Sequence, residues 1–119
     1  MDVMGSQGQL LLRLLTAAQE SARVLAGNIA NQNTPGYKRR EHQFESLLAD
    51  EMKSSTPDLG SVRATTVTDN ETPSRGDGNN VVLENEVNGM RETVLRYELY
   101  AAMLKSRSTL IRSAINGDR

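Results

Sequence analysis

The only histidine of this 119-residue chain, His42, stands between two carboxylates, Glu41 and Glu45. Imidazole and carboxylate groups are common metal ligands, and a histidine beside a carboxylate is also a common general base. A metal site needs a second pair of ligands, and catalysis needs a nucleophile or another partner group. Neither follows in the neighbouring sequence. We therefore expect no metal, no cofactor and no catalytic residue.

Three adjacent basic residues, Lys38 to Arg40, have the composition of a phosphate-binding patch. The whole chain carries 14 basic and 15 acidic side chains, a formal net charge of −1, and no tryptophan. Such a balance gives no field that would hold nucleic acid. We interpret the basic run as a solvated face or an ion-pairing site between subunits. Tyr97 and Tyr100 could stack on a ligand, but their helical spacing on an apolar face favours packing.

Three asparagines, Asn28, Asn31 and Asn33, precede a Pro-Gly pair. Asparagine is a mediocre helix former, and its side chain readily binds the free backbone groups at helix ends. Pro35 fixes its own φ at about −65°, while Gly36 accepts the positive φ that the third position of a type II turn requires. We predict that a long helix ends in this cluster and that a single turn follows it.

Apolar residues before this cluster repeat at alternating steps of four and three positions. That is the spacing of a coiled-coil seam, and Gln19, Glu20 and Arg23 lie on the opposite, polar side. The pattern predicts a helix from about residue 7 to residue 32. The predicted seam consists of Leu11, Leu15, Ala18, Ala22, Leu25 and Ile29.

A second heptad pattern fills the end of the chain and predicts a second long helix. Its predicted seam consists of Val87, Met90, Val94, Tyr97, Ala101, Leu104, Ser108, Ile111 and Ile115. A second apolar flank comprises Leu95, Leu99, Ala102 and Leu110. This helix therefore has more than one surface to bury.

Between the two helices the chain is mostly polar. Helical spacing predicts a short helix from Phe44, Leu47, Leu48 and Met52. Residues 53–80 are rich in Ser, Thr, Pro, Gly, Asp and Asn, and only residues 62–68 have a weak strand pattern. We expect this segment to be mobile. We divide one structural unit into residues 1–37, 38–80 and 81–119.

The two terminal helices predict a mainly α fold in which they form an antiparallel, coiled-coil-like pair. Apolar residues make up only 37% of the chain and are gathered at its two ends. One pair buries one stripe of each helix, so the remaining apolar flank needs another chain. The pattern predicts a protein that completes its core by assembly. An alternative is a soluble helical-hairpin adaptor or chaperone that binds a partner helix.

Residues 28–37 read NIANQNTPGY, which resembles the N-terminal signature shared by the axial proteins of the bacterial flagellum, its rod, hook and hook-associated subunits. Residues 78–86 read GNNVVLENE, and with Leu95-Arg96-Tyr97 they resemble the C-terminal block of proximal rod subunits. Val82 departs from that block, which has an acidic residue at that place. The resemblance covers residues 7–48 and 75–115.

This resemblance implies a structural, non-enzymatic subunit of the proximal rod that polymerises through its terminal helices, transmits torque and encloses the export channel. It implies other rod subunits, the membrane-ring adaptor and export gate proteins as partners. The assembly motif would be Asn28, Ile29, Asn31, Asn33, Thr34, Pro35, Gly36 and Tyr37. Subunit contacts or polar surfaces would involve Arg13, Arg23, Arg91, Arg96 and Arg112.

The start of the chain contains a short leucine block, residues 10–15, interrupted by Arg13. The block is much shorter than a membrane span, and its flanks do not fit a cleaved signal peptide. We expect neither a signal peptide nor direct membrane insertion. The flagellar resemblance implies a location in the basal-body rod, on the periplasmic side, after type III export. The absence of cysteine excludes disulfides and thiolate metal sites.

Overall fold

Two long helices form the body of the molecule, which the computed structural model describes over residues 5–117. The elements in chain order are α1 (Gly5–Ala30), β1 (Arg40–Gln43), α2 (Glu45–Met52), a 3-10 turn (Leu59–Ser61), β2 (Thr65–Thr68) and α3 (Leu83–Ile115). The outline is elongated, at 65 × 34 × 18 Å. The prediction of a mainly α fold with a long helix at each end is confirmed.

The helices α1 and α3 pack against each other in antiparallel directions. Near one end of the pair, the Arg107 guanidinium donates a hydrogen bond of 3.1 Å to the Gln7 side chain. Near the other end, the Asn28 amide donates one of 3.0 Å to the Glu86 carboxylate. Where the helices come close, a Cβ on Gly89 would lie 3.3 Å from the Leu25 side chain. The predicted antiparallel pairing is therefore correct.

Most predicted seam residues are at least half-buried, although few are fully buried. Ala18 is buried, and the half-buried members are Leu11, Leu15, Ala22, Leu25, Ile29, Val87, Met90, Tyr97, Ala101, Leu104 and Ile111. Leucine and isoleucine at such positions stabilise the pair by removing apolar area from water.

Two of the predicted packing residues, Val94 and Ile115, are exposed in the single chain, at 45% and 72%. The buried position is Thr93 instead of Val94, and neighbouring helix positions differ in direction by about 100°, so this turn of α3 is covered on a different side from the predicted seam. Ile115 lies about 12 Å beyond the level of Gln7, by the rise of eight residues. The single chain gives neither side chain a packing role, so that role stays a prediction about another chain.

A second layer covers one side of α1. Its apolar cluster joins Ala17 of α1 to Phe44, Leu48 and Val62. Arg13 of α1 holds this layer in place. Its guanidinium donates hydrogen bonds to the carbonyls of Leu59, at 2.8 Å, and Val62. The guanidinium also lies 5.0 Å from the centroid of the Phe44 ring. Within the single chain Arg13 is thus used by this second layer, and a contact of Arg13 with another subunit stays a prediction.

The strands β1 and β2 form an antiparallel pair in which Arg40 lies opposite Thr68 and Gln43 lies opposite Thr65. β2 falls inside the weak strand pattern of residues 62–68. β1 was not predicted, because its sequence REHQ contains no apolar residue to reveal an alternation. The predicted short helix is confirmed as α2, which begins directly after Phe44. Within residues 5–117, no helix is long and apolar enough to cross a membrane.

Candidate assembly junction

The polar residues at the turn end of the helix pair form one connected network, which we call the junction. It consists of residues 28–40, residues 69–81 and Glu86. Its buried members include Asn28, Asn79, Asn80 and Glu86, each at most 1% exposed. Buried polar groups require hydrogen-bond partners, so this concentration indicates a specific structure and not a chance accumulation.

The predicted type II turn is present. The Tyr37 N–H donates a hydrogen bond of 3.2 Å to the Thr34 carbonyl, and Gly36 has a φ of 75°. The Gly36 N–H in turn donates a bond of 2.8 Å to the Asp77 carbonyl. Gly78, with a φ of 84°, packs so closely that an added Cβ would lie 3.3 Å from the Gly36 Cα. The turn is thus held by the segment that leads into α3.

Asn28 uses all four of its side-chain hydrogen-bonding positions. Its oxygen accepts bonds from the Tyr37 hydroxyl at 2.9 Å and from the Arg40 N–H at 3.0 Å. Its nitrogen donates to the Arg40 carbonyl at 2.9 Å and to a Glu86 carboxylate oxygen at 3.0 Å. One amide therefore joins α1, the turn, β1 and α3.

Two asparagines before α3 hold the other side of the turn. The Asn79 amide nitrogen donates to the carbonyls of Asn31 at 2.8 Å and Thr34 at 2.9 Å. The Asn80 side chain accepts a bond of 2.6 Å from the Arg39 N–H and donates one of 2.8 Å to the Asp69 carbonyl. Together they fasten residues 31–39 to the start of α3.

The remaining motif residues lie nearer the surface. The Asn31 amide donates to the Gly27 carbonyl at 2.8 Å and its oxygen accepts from the Thr34 hydroxyl at 3.1 Å, which closes the end of α1. Ile29 is half-buried in the helix seam. Asn33 and Pro35 are exposed. The structure therefore brings most of the predicted motif into the junction and leaves Asn33 on its outside.

Arg39 is the charged centre of the junction. Its guanidinium binds Glu86 at 2.5 Å, Glu41 at 2.6 Å and Asp69 at 2.9 Å. Burial disfavours the charged guanidinium, but the hydrogen bonds to these carboxylates outweigh burial and raise the pKa of Arg39 above its usual value. The predicted basic run is thus only partly a solvated face, because Arg39 points inwards.

Asp69 is held in its ionised form. The Thr72 hydroxyl donates a hydrogen bond of 2.6 Å to one carboxylate oxygen of Asp69, which also accepts from Arg39. The backbone N–H groups of Glu71 and Thr72 donate to the other oxygen at 2.8 and 3.1 Å. Bonds from Thr72 and then Arg39 lower the pKa of Asp69 well below its usual value.

Outside the junction, His42 lies between α1 and β2. Its Nδ1 is 3.2 Å from the Thr66 hydroxyl, and its Nε2 is 3.2 Å from a Glu20 carboxylate oxygen, near enough for an ion pair but not aligned for a hydrogen bond. The residues from 5 to 117 contain no cluster of three or more potential His, Cys, Asp or Glu metal ligands. These contacts link the hairpin to α1.

Several junction residues were not singled out from the sequence as site residues, namely Arg39, Asp69, Asn79, Asn80 and Glu86. The signal that could have found two of them is the Gly-Asn-Asn run, since adjacent asparagines after a glycine favour turn-specific hydrogen bonds. Glu86 belongs to the GNNVVLENE segment, but that segment gives no local signal for its burial. Its burial beside Arg39 depends on a contact 47 positions away along the chain.

No family model matches the chain. It is 27% identical over 127 aligned positions to "Flagellar basal body rod protein FlgB" of Salmonella typhimurium, an alignment that covers 92% of this chain and 90% of the relative. It is 25% identical to the protein of the same name from Aeromonas hydrophila, covering 88% and 89%. These relatives confirm the predicted resemblance and support a structural role in the flagellar basal body rod.

Proposed function

We propose, from the premise of similarity to flagellar basal body rod proteins, that this chain is a non-enzymatic structural subunit of the proximal rod. The observation that carries the proposal is the alignment with two such proteins over about nine-tenths of the chain. In this role the subunits polymerise through their terminal helices, enclose the export channel and transmit torque. The partners are other rod subunits, the membrane-ring adaptor and the export gate.

The apolar surface of α3 supports polymerisation. Leu95, Leu99 and Leu110 are 64%, 56% and 69% exposed, and Met103 is 46% exposed. They lie at helical spacing along one flank, so they form a stripe and not scattered points. A stripe of this kind is typical of a surface that another chain covers.

The junction supports torque transmission. Two helices that meet only through apolar side chains can slide or rotate at small cost, whereas hydrogen bonds are directional and fix an angle. At the junction, Asn28 and Glu86 bind each other across the helices, and Arg39 binds Glu86 from the hairpin side. We infer that the junction fixes the angle between the helix pair and the outer layer while a subunit carries load.

The subunit would reach the rod by type III export without a cleaved signal peptide, and would lie on the periplasmic side of the basal body. In this proposal, residues 1–37 and 81–119 form the axial part and residues 38–80 form the outer part. Arg23, Arg91 and Arg112, which are exposed, would contact neighbouring subunits. Arg96 is exposed beside Glu45 and Glu92, at 3.6 and 3.8 Å, and could exchange these partners on assembly.

The experiment is a fractionation of basal bodies. An epitope tag inserted between Ser54 and Ser55, which are both exposed, should leave the junction intact. Detergent-resistant basal bodies from cells that depend on the tagged gene are then blotted for the tag, with untagged cells as the control. Recovery of the tag with the rod, together with loss of swimming when the gene is deleted, is the expected result.

A second candidate is the helical-hairpin adaptor or chaperone. The same exposed stripe on α3 favours it, because an apolar stripe can also bind the apolar face of a partner helix. Recovery of the tag only in the cytosol, with normal swimming after deletion, would exclude the rod role and favour that candidate. Hydrogen exchange separates the two in the purified protein. A rod subunit should show rapid exchange at both ends in dilute solution, and a preformed adaptor should show uniformly slow exchange there.

A further inference from the structure

The outer edge of β2 has no partner strand within residues 5–117, where the sheet contains two strands. All four residues of β2 are exposed. The Asp69 N–H donates a hydrogen bond of 2.9 Å to the carbonyl of Arg39, the residue opposite it. Hydrogen-bonded and non-hydrogen-bonded pairs alternate along an antiparallel hairpin, so Val67 and Thr65 direct their N–H and C=O groups towards β1. The N–H and C=O groups of Thr66 and Thr68 therefore point away from β1, towards solvent.

Apart from the shortness of its strand, this edge lacks the features that normally keep sheet edges apart. Natural edge strands carry charged side chains, proline or a bulge, and these prevent pairing with another chain. β2 reads Thr-Thr-Val-Thr, without charge or proline, and its register with β1 is continuous over all four positions. Threonine and valine also have high strand propensity. The edge is therefore a template for a further strand.

The charges that flank β2 indicate which strand fits. Arg63 precedes the strand and Glu71 follows it, and both are exposed. When two copies of β2 pair antiparallel with Thr66 opposite Thr68, each Arg63 comes to the end of the partner strand where Glu71 lies. The uncharged centre brings no like charges together, and threonine pairs across strands are favourable. The edge is thus complementary to itself.

We propose that two copies of the free protein pair through their β2 edges and form a four-stranded antiparallel sheet in the order β1, β2, β2, β1. The contact is two-fold symmetric, with Val67 opposite its own copy. Four residues on each side bury far less than the about 1,200 Å² of a stable interface, so the pair is transient. A two-fold contact uses the same edge on both copies, so it stops at a dimer. A rod instead grows from subunits that all point in one direction. We therefore assign this pairing to unassembled protein. It does not depend on the proposed rod function.

The test uses Val67→Cys, which gives a single thiol because the chain has no cysteine. Directly opposite residues at a position without mutual hydrogen bonds have Cα atoms about 4.5 Å apart, within the range of a disulfide. The matched control is Thr65→Cys, which lies on the same side of the sheet. In the proposed register, it is about 13 Å from its copy, by the rise of four residues. Mild oxidation should cross-link the first variant and leave the second monomeric.

A second variant, Thr68→Pro in the Val67→Cys background, removes an outward N–H from each copy without removing a bond to β1. Cross-linking should slow at least about tenfold, since two hydrogen bonds per pair are lost. Circular dichroism should retain the helix signal, because α1 and α3 do not depend on this edge. Equal cross-linking rates for the cysteines at positions 67 and 65, or an unchanged rate after Thr68→Pro, would overturn the proposal.

Discussion

The Tyr37 hydroxyl donates a hydrogen bond of 2.9 Å to the side-chain oxygen of Asn28, although the Pro-Gly turn separates the two residues along the chain. The bond folds the residue after the turn back onto the last helical turn of α1. Because Asn28 also binds Glu86, the conformation of the turn and the position of α3 are linked through one amide.

Replacement of Asn28 by alanine should lower the free energy of unfolding by about 2–3 kcal/mol, because several buried groups lose a partner at once. Urea denaturation of the purified protein measures the change. Asn33→Ala is the matched control, since Asn33 belongs to the same sequence motif but is exposed. Its effect should stay within about 0.5 kcal/mol. Similar losses in both variants would contradict the central position that we assign to Asn28.

Gly36→Val should impair assembly through backbone strain. The φ of Gly36 is 75°, a region that costs an L-residue about 1–2 kcal/mol and a β-branched residue more. An added Cβ meets no atom within 4 Å, so the Cβ itself causes no clash. Swimming of cells that carry only the variant gene gives the readout, and it should be lost or strongly reduced.

Two further variants separate strain at Gly36 from a general intolerance of substitutions. Gly36→Asn should swim better than Gly36→Val, because asparagine tolerates positive φ. Gly76→Val should swim normally, since Gly76 is also surrounded by open space and its φ lies outside the left-handed region. Normal swimming of the Gly36→Val strain would refute the proposed importance of the turn.

Loss of the Glu86 carboxylate should destabilise the chain by about 3 kcal/mol, because Arg39 then keeps a largely buried charge with one partner fewer. Thermal or urea unfolding of Glu86→Ala measures this. Glu92→Ala removes an exposed carboxylate on the same helix, 3.8 Å from Arg96, and should cost at most about 1 kcal/mol. If Glu86→Ala is no more costly than Glu92→Ala, the buried pair contributes little to stability.

Tyr100 should make the protein sensitive to alkaline pH. Burial, and then a hydrogen bond of 2.6 Å to the Glu45 carboxylate, raise the pKa of Tyr100 to about 12. The unfolded phenol ionises at about 10, so the contribution to stability is complete below pH 10 and is lost between about pH 10 and pH 12. The melting temperature should therefore fall over this range.

Phenylalanine at position 100 should weaken that alkaline fall, because the ionisable group is absent. Tyr97→Phe keeps the Tyr100 phenol and should show the full fall. Melting curves of the two variants and the unchanged protein, recorded at the same ionic strength, make the comparison. An identical alkaline loss in Tyr100→Phe would assign the effect to other groups.

The helices and the turn could be predicted from the sequence because their signals are local. Heptad spacing determines which face of a helix is apolar, and Pro35-Gly36 determines the turn type within four residues. The same information places Leu25 and Leu104 in the seam. It could not show that Thr93 is buried instead of Val94, because which side of a helix turn is covered depends on its contacts with distant parts of the chain.

The buried part of the junction could not be predicted because its partners are distant in the sequence. Asn79 binds carbonyls 45 and 48 positions earlier, and Arg39 meets Asp69 30 positions later. A mobile segment was expected for residues 53–80 because its composition is polar. Polar side chains can also be buried when every group finds a partner, and Asn79 and Asn80 are such a case. The expectation of mobility does not extend to this end of the segment.

The bond between Gln7 and Arg107 joins residues that are 100 positions apart. Neither terminal helix can cover its apolar seam until the other has been made, so a growing chain carries the seam of α1 uncovered during most of its synthesis. Closing so long a loop costs entropy before any contact between the helices compensates for it. Completion of the helix pair therefore waits for the synthesis of the last helix.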